Sequence, residues 1–390
     1  MRTKSRQEEL VLNPKVMGDH HRLLLLRYLR LHGPTSRADL ARSLGLAPSV
    51  VSRLVRELLA EGCLVERECP KTPLGRRPTL LAFNPDYRTV IGAHIQTDKL
   101  ECALLNLGGH VLARWESIIG KEPGPEQVFE LLFKAVNALR RENTLGIGVA
   151  ISGLIDVKTG RIVFSPVLQW EGINIREALE KGCALPVHVE NDANALAVAE
   201  LLHGAGRNYK DFLCVMISDG LGGGVVLEGR LYRGMLGGAG ELGHTTIDPS
   251  DGASICRCGE RGCLEEFCSK RALNKEAQRL GLEDWRTLGE MARRGDTHAQ
   301  KAFLRFGYFL GLGLKNAVNL LNPEAVIIGG DLAEFADLFL HTAKEVVCKH
   351  CFPGGRTAPE IVLWQVGKEG FLVGAGGLVV EEFLSSPIRA

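Results

Sequence analysis

The stretch that decides the fold is Cys256-Arg-Cys258-Gly-Glu-Arg-Gly-Cys263-Leu-Glu265, which follows Glu241-Leu-Gly-His244 at a short distance. Three thiols and one imidazole supply the four soft ligands of a closed tetrahedral zinc site. The two glycines let the chain turn tightly enough to bring the sulfurs together. The spacing is not that of a zinc finger or ribbon, so a loop with free cysteines is the alternative. We predict that a structural zinc binds to four residues: His244, Cys256, Cys258 and Cys263.

Two carboxylates, Glu241 and Glu265, flank this segment. Glu-x-Gly-His followed by Cys-x-Cys-Gly-x-x-Gly-Cys-x-Glu resembles the signature of the ROK family, which comprises bacterial sugar kinases and sugar-responsive repressors. The resemblance implies a zinc loop at about residues 244–265 and sugar contacts from Glu241, His244 and Glu265. Cys268 lies near enough in sequence to replace His244 as the fourth zinc ligand, and this alternative stays open.

The composition indicates a globular protein of more than one domain. The chain has 390 residues, of which 45% are hydrophobic and 24% charged, and this length exceeds that of one ordinary core. No apolar run reaches the roughly 18 residues of a membrane span. The 11 cysteines are odd in number and several lie in apolar segments. This pattern predicts a reducing cytoplasm and no membrane partner.

The charge is distributed unevenly along the chain. Residues 1–80 carry 15 Lys and Arg against 8 Asp and Glu, although the whole chain has a net charge of only +1. A basic head on a mildly acidic body indicates nucleic-acid binding at the N-terminal end. We place a DNA-binding domain at residues 1–82 and a second domain at residues 83–390.

Three helical patterns follow one another in the head. The first is predicted from about Asp19 to His32 and stops at Gly33-Pro34. Ser36 is a good N-cap for a short helix over residues 37–44, which Gly45 ends. Pro48 starts a third helix that reaches Ala60. Two helices joined by a short glycine-containing turn describe a helix-turn-helix.

The third helix has an apolar stripe and a polar face. The polar face lies near the helix N-terminus, the end that usually enters the major groove, and arginines there can bind guanine. A solvated face with no specific contact is the alternative. The predicted DNA-binding residues on this helix are Ser49, Ser52, Arg53 and Arg56.

Two predicted strands follow, over residues 63–67 and 79–83, and Gly75-Arg76-Arg77-Pro78 lies between them. The segment resembles the wing of a winged helix, and the Gly-Arg-Arg-Pro element resembles what the repressor branch of the ROK family has here. In such a wing, Arg76 and Arg77 contact the minor groove or its phosphates. The kinases of the family lack this head, so its presence favours a regulator.

The body alternates short strands with helices. The pattern predicts strands at residues 90–95, 101–107, 111–115, 145–151, 187–189 and 325–328, further strands within 212–227, and a helix at 127–142. The resemblance implies a two-lobed α/β fold, the actin-like ATPase fold of the ROK sugar kinases, which also serves sugar binding and oligomerisation. No repeat is visible at the level of residues.

Asn191 and Asp192 stand where a predicted strand ends and a helix begins, the place where open α/β sheets bind ligands. In the ROK kinases the matching asparagine contacts the sugar and the matching aspartate is the catalytic base. The resemblance therefore implies that both residues contact a sugar, with Gly153 adding a backbone contact. Simple capping of the helix is the alternative.

Nucleotide binding is expected to be lost. The kinases have an Asp-x-Gly-x-Thr turn between the first two strands, and this chain has His94-Ile-Gln-Thr-Asp-Lys99. Gly220-Leu-Gly-Gly-Gly224 keeps the glycines of a second phosphate loop, but Asp219 replaces a threonine and would repel phosphates. We therefore predict no enzyme activity and no catalytic residue, Asp192 becoming one only if kinase activity is retained.

The sequence thus predicts a sugar-responsive repressor of carbohydrate-utilisation genes. Its expected partners are operator DNA and a sugar, and it is expected to form a homodimer or homotetramer because operators are usually palindromic. Two alternatives are an active ATP-dependent sugar kinase with an added DNA-binding head and a regulator controlled by a protein partner.

Overall fold

The computed structural model describes residues 14–68, 79–350 and 358–385. The chain divides into two compact units. The first comprises Met1–Thr89, Asn106–Gly108 and Val380–Ala390, and the second comprises Val90–Leu105 and Gly109–Val379. None of the helices in the described ranges combines the length and the hydropathy that a membrane span requires.

The head begins with helices and ends with strands. Its elements are α1 (Pro14–His32), β1 (Thr35–Ser36), α2 (Arg37–Leu44), α3 (Pro48–Ala60), β2 (Leu64–Glu68) and β3 (Thr79–Phe83). Helices α2 and α3 have the predicted bounds, because Ser36 accepts the N–H of Asp39 and Gly45 ends α2 with a φ of 63°. Helix α1 begins five residues earlier than predicted.

The three strands of the head form one small sheet in the order β1-β3-β2. Strands β2 and β3 are antiparallel, with Leu64 opposite Phe83, as the wing prediction requires. Strand β1 was not predicted, because a two-residue strand has no periodicity. The segment between β2 and β3, with Arg76 and Arg77, lies outside the described residues. The described part of the head is a winged helix-turn-helix.

The second unit starts with one α/β lobe. Its elements are β4 (Thr89–Ile95), β5 (Lys99–Asn106), β6 (Val111–Ile118), α4 (Pro125–Leu139), β7 (Thr144–Ile151), β8 (Leu154–Asp156), β9 (Arg161–Ser165), β10 (Trp170–Glu171), α5 (Ile175–Cys183), β11 (Val187–Asn191) and α6 (Asp192–His203). Strands β8 to β10 form a separate three-stranded sheet.

A second lobe follows. Its elements are β12 (Phe212–Ile217), β13 (Leu221–Leu227), β14 (Arg230–Tyr232), α7 (Lys270–Arg279), α8 (Trp285–Arg293), α9 (Thr297–Leu321), β15 (Ala325–Gly329), α10 (Ala336–His350) and β16 (Glu360–Leu363). Most of its buried apolar residues lie between the sheet and helices α7 to α10. The last helix, α11 (Gly370–Phe383), packs back on β4 and β7 of the first lobe.

The large sheets of the two lobes have the same topology. The strand orders are β11-β7-β4-β5-β6 and β14-β13-β12-β15-β16. In each sheet, three strands that are consecutive in the chain lie side by side: β4, β5 and β6 in the first sheet, and β12, β13 and β14 in the second. Two strands that come later in the chain extend each sheet on the other side of the first of these three. The turn at residues 96–98 is therefore equivalent to the turn at residues 218–220. This duplicated two-lobed α/β arrangement is the fold that the sequence predicted.

The glycines at residues 222–224, which the sequence pattern assigned to a second phosphate loop, have a packing role. Helix α6 packs against β12 and β13. A Cβ on Gly224 would lie 2.5 Å from the Cβ of Ala197, and one on Gly222 would lie 2.9 Å from the Cβ of Ala193. Residues 222–224 belong to strand β13. These glycines therefore allow the helix to approach the strand, and they do not by themselves indicate a phosphate loop.

Candidate functional site

The four predicted metal ligands lie together in a loop of short turns. One potential ligand atom from each of His244, Cys256, Cys258 and Cys263 lies within 4.8 Å of all the others. The Nδ1 atom of His244 is 3.6 Å from Cys256 Sγ, and the sulfurs of Cys258 and Cys263 are 3.6 Å apart. An isolated bridge between Thr246 and Cys263 closes the loop. One imidazole and three thiols are a donor set that fits zinc.

The alternative ligand, Cys268, does not belong to this cluster. It is fully buried, and its Sγ lies 3.4 Å from the carbonyl oxygen of Phe306 on α9, to which it donates. Within the cluster, burial raises the pKa of Cys256 and Cys263. Because a metal binds the thiolate form, a cation at this place offsets the cost of deprotonating these sulfurs.

Asn191 both caps α6 and reaches across to another element. Its Oδ1 accepts the backbone N–H groups of Ala193 and Asn194 at 2.9 and 3.3 Å. Its Nδ2 donates to the carbonyl oxygen of Gly153 at 3.0 Å. The Oδ1 atom of Asn191 therefore caps α6, as the capping alternative predicts. The amide fixes Asn191 beside Gly153, the residue predicted to share its ligand.

Asp192 is buried at the first position of α6. Its Oδ1 accepts the N–H of Ala193 at 2.9 Å. Burial raises the pKa of Asp192 to about 6, and the negative charge of Glu241 acts in the same direction. The charged form of this carboxylate is thus poorly compensated, and hydroxyl donors of a ligand would stabilise it.

Glu241 connects Asp192 with the metal cluster. Its side chain is 50% exposed, and its Oε2 lies 3.9 Å from Nε2 of His244. Partial desolvation raises the pKa of Glu241, and the charge of Glu265 adds to this effect. The structure therefore brings together four of the predicted sugar contacts, Asp192, Glu241, His244 and Glu265.

Glu265 is held at both carboxylate oxygens. Its Oε2 accepts the N–H of Leu221 at 3.1 Å, and its Oε1 pairs with Nη2 of Arg271 at 3.1 Å. Its carboxylate also lies within 4.8 Å of the sulfur of Cys256. A Cβ on Gly220 would stand 2.5 Å from Oε2. The glycine turn and the metal loop together fix this acid.

The turns at residues 96–98 and 218–220 meet through side chains. Thr97 Oγ1 donates to Asp219 Oδ2 at 3.3 Å. Lys270 Nζ pairs with Asp219 at 3.0 Å and with Asp331 at 2.7 Å. Burial opposes the charge of Lys270, but the two aspartates outweigh burial and raise its pKa. Lys270 therefore offsets part of the negative charge of Asp219, the acid that we expect to repel phosphates.

His94 lies near the end of β4, where the resemblance to the kinases implies an acid. It is buried and stacks on Phe371 with 4.4 Å between ring centroids. Burial lowers the pKa of His94 to about 4, so the ring is neutral at physiological pH. A neutral stacked imidazole does not supply the anionic metal ligand that phosphoryl transfer uses.

The polar face of α3 is exposed as predicted. The four predicted residues on it are open to solvent: Ser49, Ser52, Arg53 and Arg56. The opposite face buries Val51, Leu54, Val55 and Leu58. Arg53 forms a pair with Glu57 at 2.9 Å. A bidentate pair between Arg22 and Glu61 ties α1 to the end of α3, which orients this face.

The sequence reasoning missed the basic residues that hold these acids. Lys270 and Arg271 are adjacent at the start of α7, and the first pairs with Asp219 while the second pairs with Glu265. Their only sequence signature is a Lys-Arg pair closely following Glu265-Glu266. Lysine and arginine are also common on solvated helix faces, so the pair did not indicate a site.

Comparison with known proteins places this geometry in a family. The ROK family model matches residues 90–382, which is most of the chain. The chain belongs to the ROK family. A winged helix-turn-helix DNA-binding model also matches residues 19–65 of this ROK protein.

Relatives of this ROK protein include regulators and kinases. A xylose repressor of Caldicellulosiruptor bescii is 32% identical, over 95% of this chain and 99% of that protein. The structure of a ROK family transcriptional regulator, a homolog of the E. coli MLC protein, covers 95% of this chain with a TM-score of 0.80 and 26% identity. A Streptomyces griseus glucokinase with glucose and AMPPNP covers 74%, with a TM-score of 0.67 and 29% identity. These two structures are covered over 100% and 98% of their own length.

Proposed function

We propose that this ROK family protein is a sugar-responsive, DNA-binding repressor of carbohydrate-utilisation genes. One observation carries the proposal: a single chain joins an exposed basic helix α3 to a cluster of acids that fits a polyhydroxylated ligand. In this proposal the head, residues 1–82, binds operator DNA, and the body, residues 83–390, binds the sugar. The protein acts in the cytoplasm, where the operator is.

The head binds DNA through α3. Arg53 and Arg56 present fork-shaped donors that suit guanine, and Ser49 and Ser52 suit bases or phosphates. Palindromic operators are bound by paired recognition helices, so a homodimer or homotetramer follows. The same reasoning assigns Arg76 and Arg77, in the wing, to the minor groove.

The body binds the sugar through acceptors and one amide. Carboxylates of Asp192, Glu241 and Glu265 accept hydrogen bonds from hydroxyl groups, and Asn191 adds amide contacts. The Asp192 carboxylate has one backbone donor at Oδ1, which leaves it acceptor capacity for a ligand. His244 faces Glu241 on the same side.

A structural zinc fits the His244 cluster. When bound, it would stabilise the thiolates of Cys256, Cys258 and Cys263 and cross-link the loop. Because Cys256 and Glu265 lie side by side, the loop positions the sugar-binding acid. Loss of the metal is therefore expected to weaken sugar binding together with stability.

Phosphoryl transfer is absent in this proposal, although Asp192 stands where the kinases have their base. Asp219, Lys270 and Asp331 form an ion-paired group with one excess negative charge at the second turn, and neutral His94 stands at the first. A coupled kinase assay across common hexoses and pentoses with ATP should show no sugar-dependent turnover. Turnover of about one per second on any sugar, an ordinary enzyme rate, would establish the kinase alternative.

A thermal-shift screen tests the proposed effector site. Monosaccharides and their phosphates are compared, beginning with D-xylose because relatives are named xylose repressors. A ligand that binds only the folded chain raises its melting temperature, so at least one sugar should give a shift. Glu241→Gln should abolish that shift. If no sugar raises the melting temperature of the wild-type chain, this proposal loses support and a regulator controlled by a protein partner is favoured.

A further inference from the structure

Four charged side chains form a ladder of ion pairs at the start of α7, in the order Glu265, Arg271, Glu266 and Lys275. Nη2 of Arg271 is 3.1 Å from Oε1 of Glu265 and also pairs with Oε1 of Glu266. Nζ of Lys275 is 2.8 Å from the other oxygen of Glu266. We propose that Arg271 is a positioning residue of the sugar site, which acts by holding Glu265 in its sugar-binding orientation. This inference rests on the proposed function.

Three members of this ladder, Glu265, Glu266 and Arg271, are largely buried, so each depends on its charged partner. The side chain of Glu266 is 1% exposed, that of Glu265 11% and that of Arg271 22%. A buried carboxylate is costly unless a cation and hydrogen bonds compensate it. Nη2 of Arg271 carries two N–H groups, so this one nitrogen can donate to both carboxylates. Arg271 is thus fixed from one side by Glu266 and fixes Glu265 on the other.

The contacts of Glu265 define one orientation of its carboxylate. Oε2 is held by the N–H of Leu221, while Oε1 is held by Arg271. The backbone is fixed as well, because Ser269 Oγ donates to the carbonyl oxygen of Glu265 at 2.8 Å. Each carboxylate oxygen has two lone pairs. Both oxygens therefore keep one acceptor site for a sugar hydroxyl while their direction is set by the protein.

The fixed orientation of the Glu265 carboxylate should strengthen sugar binding. Without Arg271, the Leu221 amide would be the one remaining hydrogen-bond donor to the Glu265 carboxylate among the described residues, and the acid would gain rotational freedom. Preorganised acceptors lose less entropy on binding than mobile ones. Sugar affinity should therefore depend on Arg271, although in this proposal Arg271 does not touch the sugar.

Titration calorimetry of the full chain with D-xylose tests this role, with D-glucose and N-acetyl-D-glucosamine measured in parallel. Arg271→Met should raise the sugar Kd roughly two- to tenfold, the cost of ordering one mobile side chain on binding. Arg271→Lys should recover part of that loss. Arg279→Met, on the same helix and paired only on the surface with Glu276, is the matched control and should leave the Kd unchanged. Zinc content and the urea midpoint are recorded for every variant.

A double-mutant cycle separates positioning from a general structural effect. In the Glu265→Gln background, Arg271→Met should add almost nothing, because its target is already altered. If Arg271→Met does not fold, the charge-balanced pair Arg271→Met with Glu266→Gln replaces it.

The results also separate this inference from the proposed function. A wild-type Kd in the Arg271→Met chain, or full additivity with Glu265→Gln, overturns the positioning role alone. If the wild-type chain binds none of the three sugars, both the positioning role and the proposed binding of these sugars are overturned.

Discussion

Asp192 is a buried carboxylate that lowers the stability of the folded chain at neutral pH. Burial raises its pKa from 3.8 to about 6. Because the folded-state pKa is the higher one, the protonated group contributes stability below about pH 4, and this contribution is lost as the pH rises through 6. At neutral pH the folded protein therefore keeps a charged carboxylate that is more stable in the unfolded chain.

Asp192→Asn should accordingly stabilise the protein at pH 8, by up to about 3 kcal/mol for a shift of two pKa units. At pH 5 the gain should be roughly half as large, because Asp192 is then mostly protonated in the folded state. Urea unfolding at both pH values measures the difference. Asp98→Asn, at an exposed position, is the control and should change the stability by less than about 0.5 kcal/mol. Equal gains for Asp192→Asn at both pH values would contradict the assigned burial effect.

At this scale the sequence could predict residue identities but not their partners. The motif spacing selected Glu241, Glu265 and the metal ligands. It did not indicate that Arg271 binds Glu265 or that Lys270 binds Asp219. Those contacts join residues from separate elements, and their geometry depends on where α7 begins relative to the sheet.

The loop that carries His244, Cys256, Cys258 and Cys263 has little regular structure, so its stability should depend on the proposed zinc. Elemental analysis of protein purified without added metal should find about one zinc per chain, the number that a four-ligand site binds. Cys258→Ser should reduce the metal content and the melting temperature together. Cys268→Ala removes a sulfur that faces Phe306 instead, and it should retain the metal. Full metal retention in Cys258→Ser would contradict the assigned ligand set.

Helix α3 should carry the specificity of DNA binding. Arg56→Ala is expected to cost roughly 1–3 kcal/mol of operator binding if its guanidinium contacts a base. Binding should also weaken steeply with salt, since phosphate contacts release counterions. Fluorescence anisotropy over a salt series measures both. Arg294→Ala, an exposed arginine of the second unit, should bind DNA as the wild type does, and an equal loss in both variants would refute a specific role of α3.

Elements with local signals were predictable. Ser36, Gly45 and Pro48 determine the ends of α2 and α3 through short-range hydrogen bonds and fixed dihedral angles, so both helices were predicted with their correct bounds. Strand β1 was missed because its two residues pair with β3, far along the chain. Residues 222–224 were interpreted as a loop because their contacts with α6 cannot be read from a run of glycines.

The duplicated topology of the two large sheets is a property of the whole body. It was not visible in the sequence, because strand order can be repeated without repeating any residue. The duplication places two equivalent turns where Thr97 meets Asp219. Regulators and kinases of the ROK family share this fold.

Control of DNA binding by a sugar requires linkage between the head and the body. A sugar can release the operator only if it binds the DNA-free conformation more tightly than the DNA-bound one. The same coupling must appear in reverse, so that operator DNA weakens sugar binding by an equal factor. A variant that no longer binds the sugar should then retain DNA binding and lose only the effect of the sugar on it.

The most direct measurement is the affinity of the full chain for a DNA duplex that it selects from a random pool, with and without a saturating sugar from the screen. For the wild type, the sugar should raise the DNA Kd at least about fivefold, the lower end of ordinary allosteric coupling. Asp192→Asn should bind the duplex as the wild type does and show no change with sugar. An unchanged or lower DNA Kd for the wild-type chain in the presence of a sugar that binds it would contradict the account.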